Sequence, residues 1–425
     1  MVDGRQYNTI TQDLKNMQKL NIRTSCRICK SKNLLQILNL GATPLADNFV
    51  TDTKAKEMEF PLNVVVCKKC FLVQLVDEVD SSLLFGNNDY GFFTGGSPAS
   101  IKYFRDYAEK LIKDYPKQCK KLILEIASND GTLLNNFKIN NYNVQGIDPA
   151  KNVAKSANQA GIPTIIDFFN KKTAIKYFSD KKASLIIANN VVAHVDDIHD
   201  FMEGVDFALE PNGIFVFECQ YLPYLIFNNQ FDNVYHEHRA FLSLIPLLYL
   251  LNNKNLEIFD VEEYDTQGGS IRVYVSHKGA RKKTDKFIKL KDEEYQLGLD
   301  KIETYLGINQ RAQYIKIRLN KILSELKAAG KTVYGYGASA KSNTLLNYCG
   351  IGSGLLDLIV DKTPYKYGKY TPGTHIPIVD QDTINNPDYY LLLVWNYASH
   401  ILKKEKKYRE NGGKFIIPIP TPYIL

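Results

Sequence analysis

Apolar and polar positions change rhythm several times along the chain. Between Arg23 and about Asp80 the apolar residues come in short runs, Leu34–Leu38, Val64–Val66 and Leu72–Val76, the signature of a small β-rich module. From Ser97 to Asp114 the spacing of Ile101, Phe104, Tyr107, Ala108, Leu111 and Ile112 puts one apolar face on a helix. From Lys121 to about His277 strand and helix patterns alternate, with apolar strands at Leu122–Ile126, Asn143–Ile147, Ala183–Ile187 and Gly213–Phe217. Such alternation predicts a mostly parallel sheet covered by helices. Leu256–Tyr264 and Ser270–Ser276 then read as an antiparallel pair, and Thr284 to Ala329 as one or two amphipathic helices. The α/β pattern restarts with strand Thr332–Tyr336, a glycine-rich turn, helix Lys341–Tyr348 and strands Leu358–Val360 and Tyr390–Val394. The expectation is an α/β protein in three parts: an arm and β-rich module over residues 1–96, a core over 97–280, and a smaller α/β unit over 281–425.

A chain of 425 residues with 44% hydrophobic content is long enough for two or three cores. The net charge of +7 suits an anionic small substrate and is too weak to argue for nucleic acid. Lysines from Lys282 to Lys331 are interleaved with acids, as on a solvated helical face. The first 25 residues are polar, without the apolar region of a secretory signal, and read as a short helix or ordered arm. The longest apolar stretch, Phe241 to Leu251, is too short to span a bilayer, which takes about 20 residues. A soluble cytoplasmic protein is expected, a monomer or weak homodimer with no membrane or nucleic-acid partner.

Four of the seven cysteines form two pairs, Cys26-Arg27-Ile28-Cys29 and Cys67-Lys68-Lys69-Cys70. Two intervening residues let both thiolates of a pair reach one tetrahedral ion at about 2.3 Å, and four thiolates leave no open position, so a structural Zn2+ is expected. The spacing between the pairs is longer than in compact DNA-reading fingers. Thiol exchange is the rival reading. Cys119, Cys219 and Cys349 are expected as buried small hydrophobes.

After the first core strand comes Glu125-Ile126-Ala127-Ser128-Asn129-Asp130-Gly131, opening a helix at Thr132. A strand, a turn of small residues and a helix allow close backbone approach to a ligand. Asp148 ends the next strand, where an acid accepts hydrogen bonds from ribose hydroxyls. The turn lacks the G-x-G-x-x-G that cradles pyrophosphate, which fits a nucleoside such as S-adenosylmethionine; an ordinary turn with Asp148 as a helix cap is the alternative. The last unit does carry Gly335-Tyr336-Gly337-Ala338-Ser339-Ala340-Lys341. That stretch fits a dinucleotide site, a helix terminus with Lys341 gripping a nucleotide-sugar diphosphate, or a structural turn.

The densest polar cluster is Asp232-Asn233-Val234-Tyr235-His236-Glu237-His238. Deprotonating a carbon beside a ketone requires a base and a partner to orient it, roles open to His238 and Glu237, while a hydroxyl such as that of Tyr235 can donate to the developing enolate oxygen. The H-x-H spacing also suits a metal. His194 follows the third main strand, at the edge where ligands bind, and core packing is its rival reading.

Taken together these motifs resemble the sugar C-methyltransferases of deoxysugar biosynthesis. The resemblance runs over nearly the whole chain after Ile22 and includes both cysteine pairs, Glu125 to Gly131, Asn190-Val191-Val192-Ala193-His194, Phe231 to His238, Gly268-Gly269-Ser270-Ile271-Arg272-Val273, Tyr336 to Lys341 and Tyr370-Thr371-Pro372-Gly373-Thr374-His375-Ile376-Pro377. It implies a zinc module, a Rossmann-like class I methyltransferase core and a C-terminal Rossmann-like unit. It implies His238 as general base, with Tyr235, Glu237, His194 and Tyr90 in the same site; Tyr90 matches the substrate-pocket tyrosine, a match that Phe92 also allows. The expected cofactor residues are Glu125, Ala127, Asn129, Asp130, Asp148, Asp167 and Asn190, and the expected substrate residues Tyr90, Phe92, Tyr336, Lys341 and Asn343. The implied reaction methylates a nucleotide-linked 4-keto-deoxyhexose, a dTDP-sugar, at carbon 3. The chain departs from the pattern at Ala127 for glycine, Gln267 for histidine, and Thr94 and Gly95 for serines. An RNA-modifying methyltransferase and an NAD-dependent or non-catalytic nucleotide-sugar binder are the competing readings.

Overall fold

A computed structural model describes residues 19–85 and 91–425. The N-terminal module contains β1 (Leu20–Ile22), β2 (Leu34–Pro44), β3 (Glu59–Cys67), β4 (Val73–Leu75) and β5 (Asp77–Val79). β2, β3 and β4 form an antiparallel meander, and β1 pairs with β5. All four paired cysteines converge: their sulfur atoms lie within 4.8 Å of one another, with Cys26 to Cys70 at 3.4 Å and Cys29 to Cys67 at 3.3 Å. A tetrahedral ion with ~2.3 Å bonds spaces thiolates by about 3.8 Å, so the cluster fits one zinc. Cys119, Cys219 and Cys349 are buried and take no part in it, as expected.

The core contains β6 (Leu122–Ile126), β7 (Asn143–Ile147), β8 (Thr164–Ile165), β9 (Ala183–Asn189), β10 (Leu209–Gln220), and, after a two-residue β11 (Ala240–Phe241), β12 (Leu256–Tyr264) and β13 (Ser270–His277). Seven of these strands make one sheet in the order β12-β13-β10-β9-β6-β7-β8, in which only β13 opposes the rest. Every residue of β6 is buried because both sheet faces are covered. Ile123, Leu185 and Ile187 pack under the helix Pro98–Asp114, which Ser97 caps by accepting the N–H of Ser100 at 3.1 Å. Leu124, Ile126 and Phe217 share the opposite core with Cys26, Ile28, Cys67 and Leu72 of the zinc module.

The C-terminal sheet, β14 (Val333–Tyr336), β15 (Ile359–Asp361), β16 (Ile378–Asp380), β17 (Tyr389–Leu392), β18 (Lys414–Ile417) and β19 (Tyr423–Ile424), has the order β16-β15-β14-β17-β18-β19 and is parallel apart from β19. Its inner face and the helix Ile308–Ala328 share a core with Leu38, Leu62 and Val64 of β2 and β3. The zinc module is thus wedged between the two α/β sheets.

The apolar run Phe241 to Leu251 does not form one element. Ala240–Phe241 is a strand, Ser243 is extended at φ −134°, and a helix covers Leu244–Leu251. β11 belongs to neither α/β sheet: it pairs antiparallel with β4, Ala240 opposite Gln74 and Phe241 opposite Val73. Period analysis cannot see a two-residue strand whose partner lies more than 160 positions away. No helix of the described residues is long and apolar enough to cross a membrane.

The turn leaving β6 puts Ala127 at φ +55°, Asn129 at +52° and Gly131 at +79°. Left-handed backbone costs an L-residue roughly 1–2 kcal/mol, which glycine escapes. Ala127→Gly is therefore expected to stabilise the protein by about 0.5–1 kcal/mol, read by denaturant unfolding; a loss of stability would contradict the reading. Cys67→Ala, which removes one thiolate, is expected to cost more than ~2 kcal/mol and to speed hydrogen exchange at Ala240 and Phe241 through loss of β4. Unchanged exchange there would separate β11 from the metal cluster.

Candidate active site

The carboxyl ends of β6, β7, β9 and β10 form one crevice, as in other open α/β sheets. On its first side, the N–H of Asn129 donates to one Asp148 oxygen at 2.9 Å and that of Ala150 to the other at 2.8 Å. Burial pushes Asp148 up to about 6 against these bonds. Glu125 rises well above the usual carboxylate range, first through burial and then through the charges of Asp130 and Asp148. Glu125 Oε2, Ser128 Oγ and Asn189 Oδ1 are buried without a hydrogen-bond partner. Three acids and orphaned polar atoms around a small-residue turn suit a cationic nucleoside, and these residues fit S-adenosylmethionine.

Asn129 and Asp130 have a second task. Asn129 Oδ1 accepts the N–H of Thr94 at 2.9 Å, Asn129 Nδ2 donates to the Phe92 carbonyl at 3.0 Å, and Asp130 Oδ2 accepts the N–H of Gly95 at 2.8 Å. Their side chains hold the segment Phe92–Gly95 across the turn through its backbone, which is insensitive to the side chains of Thr94 and Gly95. Asn190, at φ +53°, donates its N–H to the Glu218 carbonyl at 2.7 Å and lines the crevice. Asp167 lies just past β8 and accepts from the Tyr177 hydroxyl at 3.0 Å.

On the other side, the His194 and His238 rings lie 4.9 Å apart between centroids, and the Tyr235 ring lies 3.9 Å from that of His238, both pairs tilted. Asn190, Ala193, His194, Gln220, His238 and Ala240 line a small pocket at the ends of β9 and β10. His238 is 6% exposed, and its Nδ1 lies 2.7 Å from the Asn233 carbonyl. A carbonyl only accepts, so Nδ1 carries the proton and Nε2 keeps its lone pair. Burial, the neighbouring His194 and the Lys341 charge together hold His238 well below the usual histidine range, against the Asn233 bond. His194 falls to about 4 for the same first reason, helped by Arg239.

The loop bearing His238 is pinned from three directions. Arg239, buried at 2%, donates to the Val79 carbonyl at 2.6 Å and Ser81 Oγ at 2.9 Å and pairs with Asp196. Ala240 N–H reaches the Ala193 carbonyl at 3.0 Å, and Leu75 N–H the Arg239 carbonyl at 3.0 Å. From the C-terminal unit, Thr344 Oγ1 donates to the Val234 carbonyl at 3.2 Å.

Lys341 is buried, its Nζ 2.5 Å from the Gln267 carbonyl and beside Asp232. Burial lowers it to about 8 although Asp232 opposes the shift. Asp232, raised by burial to about 6, accepts from Trp395 Nε1 at 2.6 Å, and its other oxygen has no partner. Gln267 acts here through its backbone at φ +54°, not through the side chain that replaces histidine.

The structure therefore brings together His238, Tyr235, His194, Asn190 and Lys341, and sets Glu125, Ala127, Asn129, Asp130 and Asp148 around the adjoining turn. Glu237 is 8% exposed with Oε2 unpartnered, and Asn343 donates from Nδ2 to the Ala46 carbonyl at 2.5 Å. Phe92 is 58% exposed and contributes its carbonyl to Asn129. Tyr336 is not in the site, which corrects its expected substrate role. Its ring packs on Tyr390 and Phe415 in the outer core of the C-terminal unit, and its hydroxyl donates to Glu405 at 2.8 Å, because alternate residues of β14 point to opposite sheet faces. Tyr90 lies outside the described residues. Asp232, Asn233 and Ser128 lay in motifs marked in the sequence but were given no role, and Asn189 was given none either; Asn233 acts through a carbonyl, which leaves no mark in a sequence.

Comparison with known proteins gives three successive matches. Residues 26–85 match a zinc binding domain, residues 101–261 a methyltransferase domain, and residues 265–420 the C-methyltransferase C-terminal domain. The C-methyltransferase NovU of Streptomyces niveus is 35% identical over 406 residues, 94% of this chain and 96% of that protein. Two solved structures show distant likeness over less than half of the chain. The PH0226 protein from Pyrococcus horikoshii OT3 has a TM-score of 0.36 and 14% identity over 44% of this chain and 96% of that one. Magnesium protoporphyrin IX methyltransferase from Synechocystis PCC 6803, with bound S-adenosylmethionine, has a TM-score of 0.32 and 10% identity over 42% and 79%. S-adenosylmethionine is the methyl donor, and zinc is the ion of the four-thiolate cluster. Full-length identity at this level, with the zinc, methyltransferase and C-terminal matches in one order, places the chain in the C-methyltransferase family.

Proposed function

We propose that the protein methylates carbon 3 of a nucleotide-linked 4-keto-deoxyhexose, with His238 as general base. The observation that carries this reading is the tautomer of His238. The Asn233 carbonyl accepts a hydrogen bond from Nδ1–H, which leaves Nε2 with its lone pair beside the crevice. His238 Nε2 takes the proton from the carbon next to the ketone, and the C–H electron pair moves into the enolate. Tyr235 or His194 stabilises the oxygen charge that develops. S-adenosylmethionine, when bound, supplies the electrophilic methyl group that the enolate carbon accepts. Burial of the imidazole keeps it neutral and ready, and the Phe92–Gly95 segment over the donor turn limits water. Lys341, with its buried ammonium, serves the anionic end of the substrate from the C-terminal unit. The cytoplasm and a dTDP-sugar are the compartment and substrate proposed.

His238→Ala is expected to retain binding of S-adenosylhomocysteine while turnover falls roughly a hundred- to ten-thousand-fold and solvent deuterium no longer enters the sugar carbon. Near-normal exchange in that variant would falsify the assignment. The pH profile of kcat/KM has a computable direction. His238 is already neutral across the neutral range, so no acid limb is expected near the ordinary histidine value. Lys341 loses its proton as pH rises through about 8, so activity is expected to fall above that point. Lys341→Met should lower the plateau and erase the alkaline limb; a limb that persists unchanged assigns it to another group.

A further inference from the structure

The segment that Asn129 and Asp130 hold does not end at Gly95. It runs on into the helix Pro98–Asp114, and that helix is fastened a second time. The Tyr103 hydroxyl lies 2.6 and 2.5 Å from the two carboxylate oxygens of Glu218 and donates between them. Arg272, on β13, donates to the same carboxylate from Nη2 at 2.9 Å and Nε at 3.1 Å, and to the Tyr103 oxygen from Nη2 at 3.0 Å. Its guanidinium lies over the rings of Tyr107 and Tyr264, 3.3 and 4.0 Å from their centroids. Thr266 Oγ1 completes the set, donating to Glu218 at 3.2 Å. Arg272 and Glu218 are 1% and 3% exposed. A buried ion pair adds little net stability, because desolvation offsets the attraction; what it can contribute is a fixed geometry.

The two fastenings lie on either side of one strand. Asn129 and Asp130 follow β6, Glu218 lies two residues before the end of β10, and β9 runs between β6 and β10 in the sheet. Asn190, just past β9, donates its N–H to the Glu218 carbonyl at 2.7 Å. The stretch from Phe92 to Tyr103 is thus anchored on both sides of the β9 end, beside the residues that fit the methyl donor. Its first anchor is seated too closely for a side chain: a Cβ added at Gly95 would meet Thr132 Oγ1 at 2.8 Å and Asp130 Oδ2 at 3.1 Å. We propose that Phe92–Tyr103 is a strap over the bound methyl donor, and that Tyr103, held by Glu218 and Arg272, is the positioning residue that keeps it down. The strap acts on how long the donor stays, through the turn it is fastened to, and takes no part in proton removal. The inference rests on the donor binding at the turn after β6 and is independent of which sugar is methylated.

The test follows S-adenosylhomocysteine leaving the whole chain in stopped-flow displacement, with no sugar present. Tyr103→Phe keeps the ring and removes the hydroxyl. Dissociation should quicken about tenfold, the effect of losing one hydrogen bond to a charged group, while the association rate stays within about twofold. Binding stoichiometry reports the folded fraction of each variant. Gly95→Ala, which unseats the other anchor, should quicken dissociation in the same way. Tyr107→Phe is the control: it lies on the same helix and against the same guanidinium, but its hydroxyl has no hydrogen-bond partner among the described residues, so dissociation should not change. Unchanged dissociation in Tyr103→Phe, an equal acceleration in Tyr107→Phe, or an acceleration that Gly95→Ala does not share overturns the inference and leaves the proposed function standing. Normal binding by Asp148→Ala would move the donor away from the turn, and overturns the strap together with that placement of the donor.

Discussion

Two residues of β-pairing fix the geometry of His238, the proposed base. β11 begins two residues after His238, and its partner β4 begins three residues after Cys70. Without β4 the stretch from Asp232 to Arg239 would be a loop on the surface of the core sheet, and loops of that kind are mobile. With it, the backbone is hydrogen-bonded on the far side of the imidazole, and the buried guanidinium of Arg239 locks onto Val79 and Ser81. A module this small has little core of its own, so metal ligation and shared packing must hold β4 in place. The zinc cluster therefore helps to govern where the His238 imidazole sits.

Burial shapes the chemistry on both sides of the crevice, with opposite effect on acids and bases. Around the donor turn it raises Glu125 and Asp148, and a cationic ligand bound beside them would favour their charged forms again. Around the pocket at the ends of β9 and β10 it lowers His238, His194 and Lys341. The same desolvation that keeps the imidazole neutral makes its protonated form costly. A proton accepted there in the proposed reaction would have to be passed on or offset by negative charge, which the diphosphate of the proposed substrate would provide.

The sheets were legible in the chain because their signal is local. Leu122–Ile126 and Asn143–Ile147 stand where the apolar runs place them, and the Leu256–Tyr264 hairpin forms with its expected partner. The short strands β8, β11, β16 and β19 were not, since two or three residues cannot establish a period. The site was legible where it depends on residue type. The cysteine spacing, the acid-bearing turn and the polar cluster ending in His238 all mark real convergence. It was hidden where the backbone acts: the Asn233 carbonyl sets the tautomer, the Gln267 carbonyl holds Lys341, and the Phe92–Gly95 backbone occupies the side chains of Asn129 and Asp130. Tyr336 was misread for a related reason. A motif gives positions along a strand, while the pleat decides which of them turns toward the ligand, and here it turns Tyr336 away.

The central claim is a neutral imidazole with its proton on Nδ1 and its lone pair on Nε2, and nitrogen NMR of the enzyme with labelled histidine reads it directly. The chain has seven histidines, so the His238 resonances are assigned by their loss in His238→Gln. At neutral pH the account predicts one protonated nitrogen, Nδ1, hydrogen-bonded to a carbonyl, and an unprotonated Nε2. An imidazolium, or the tautomer with the proton on Nε2, would contradict it.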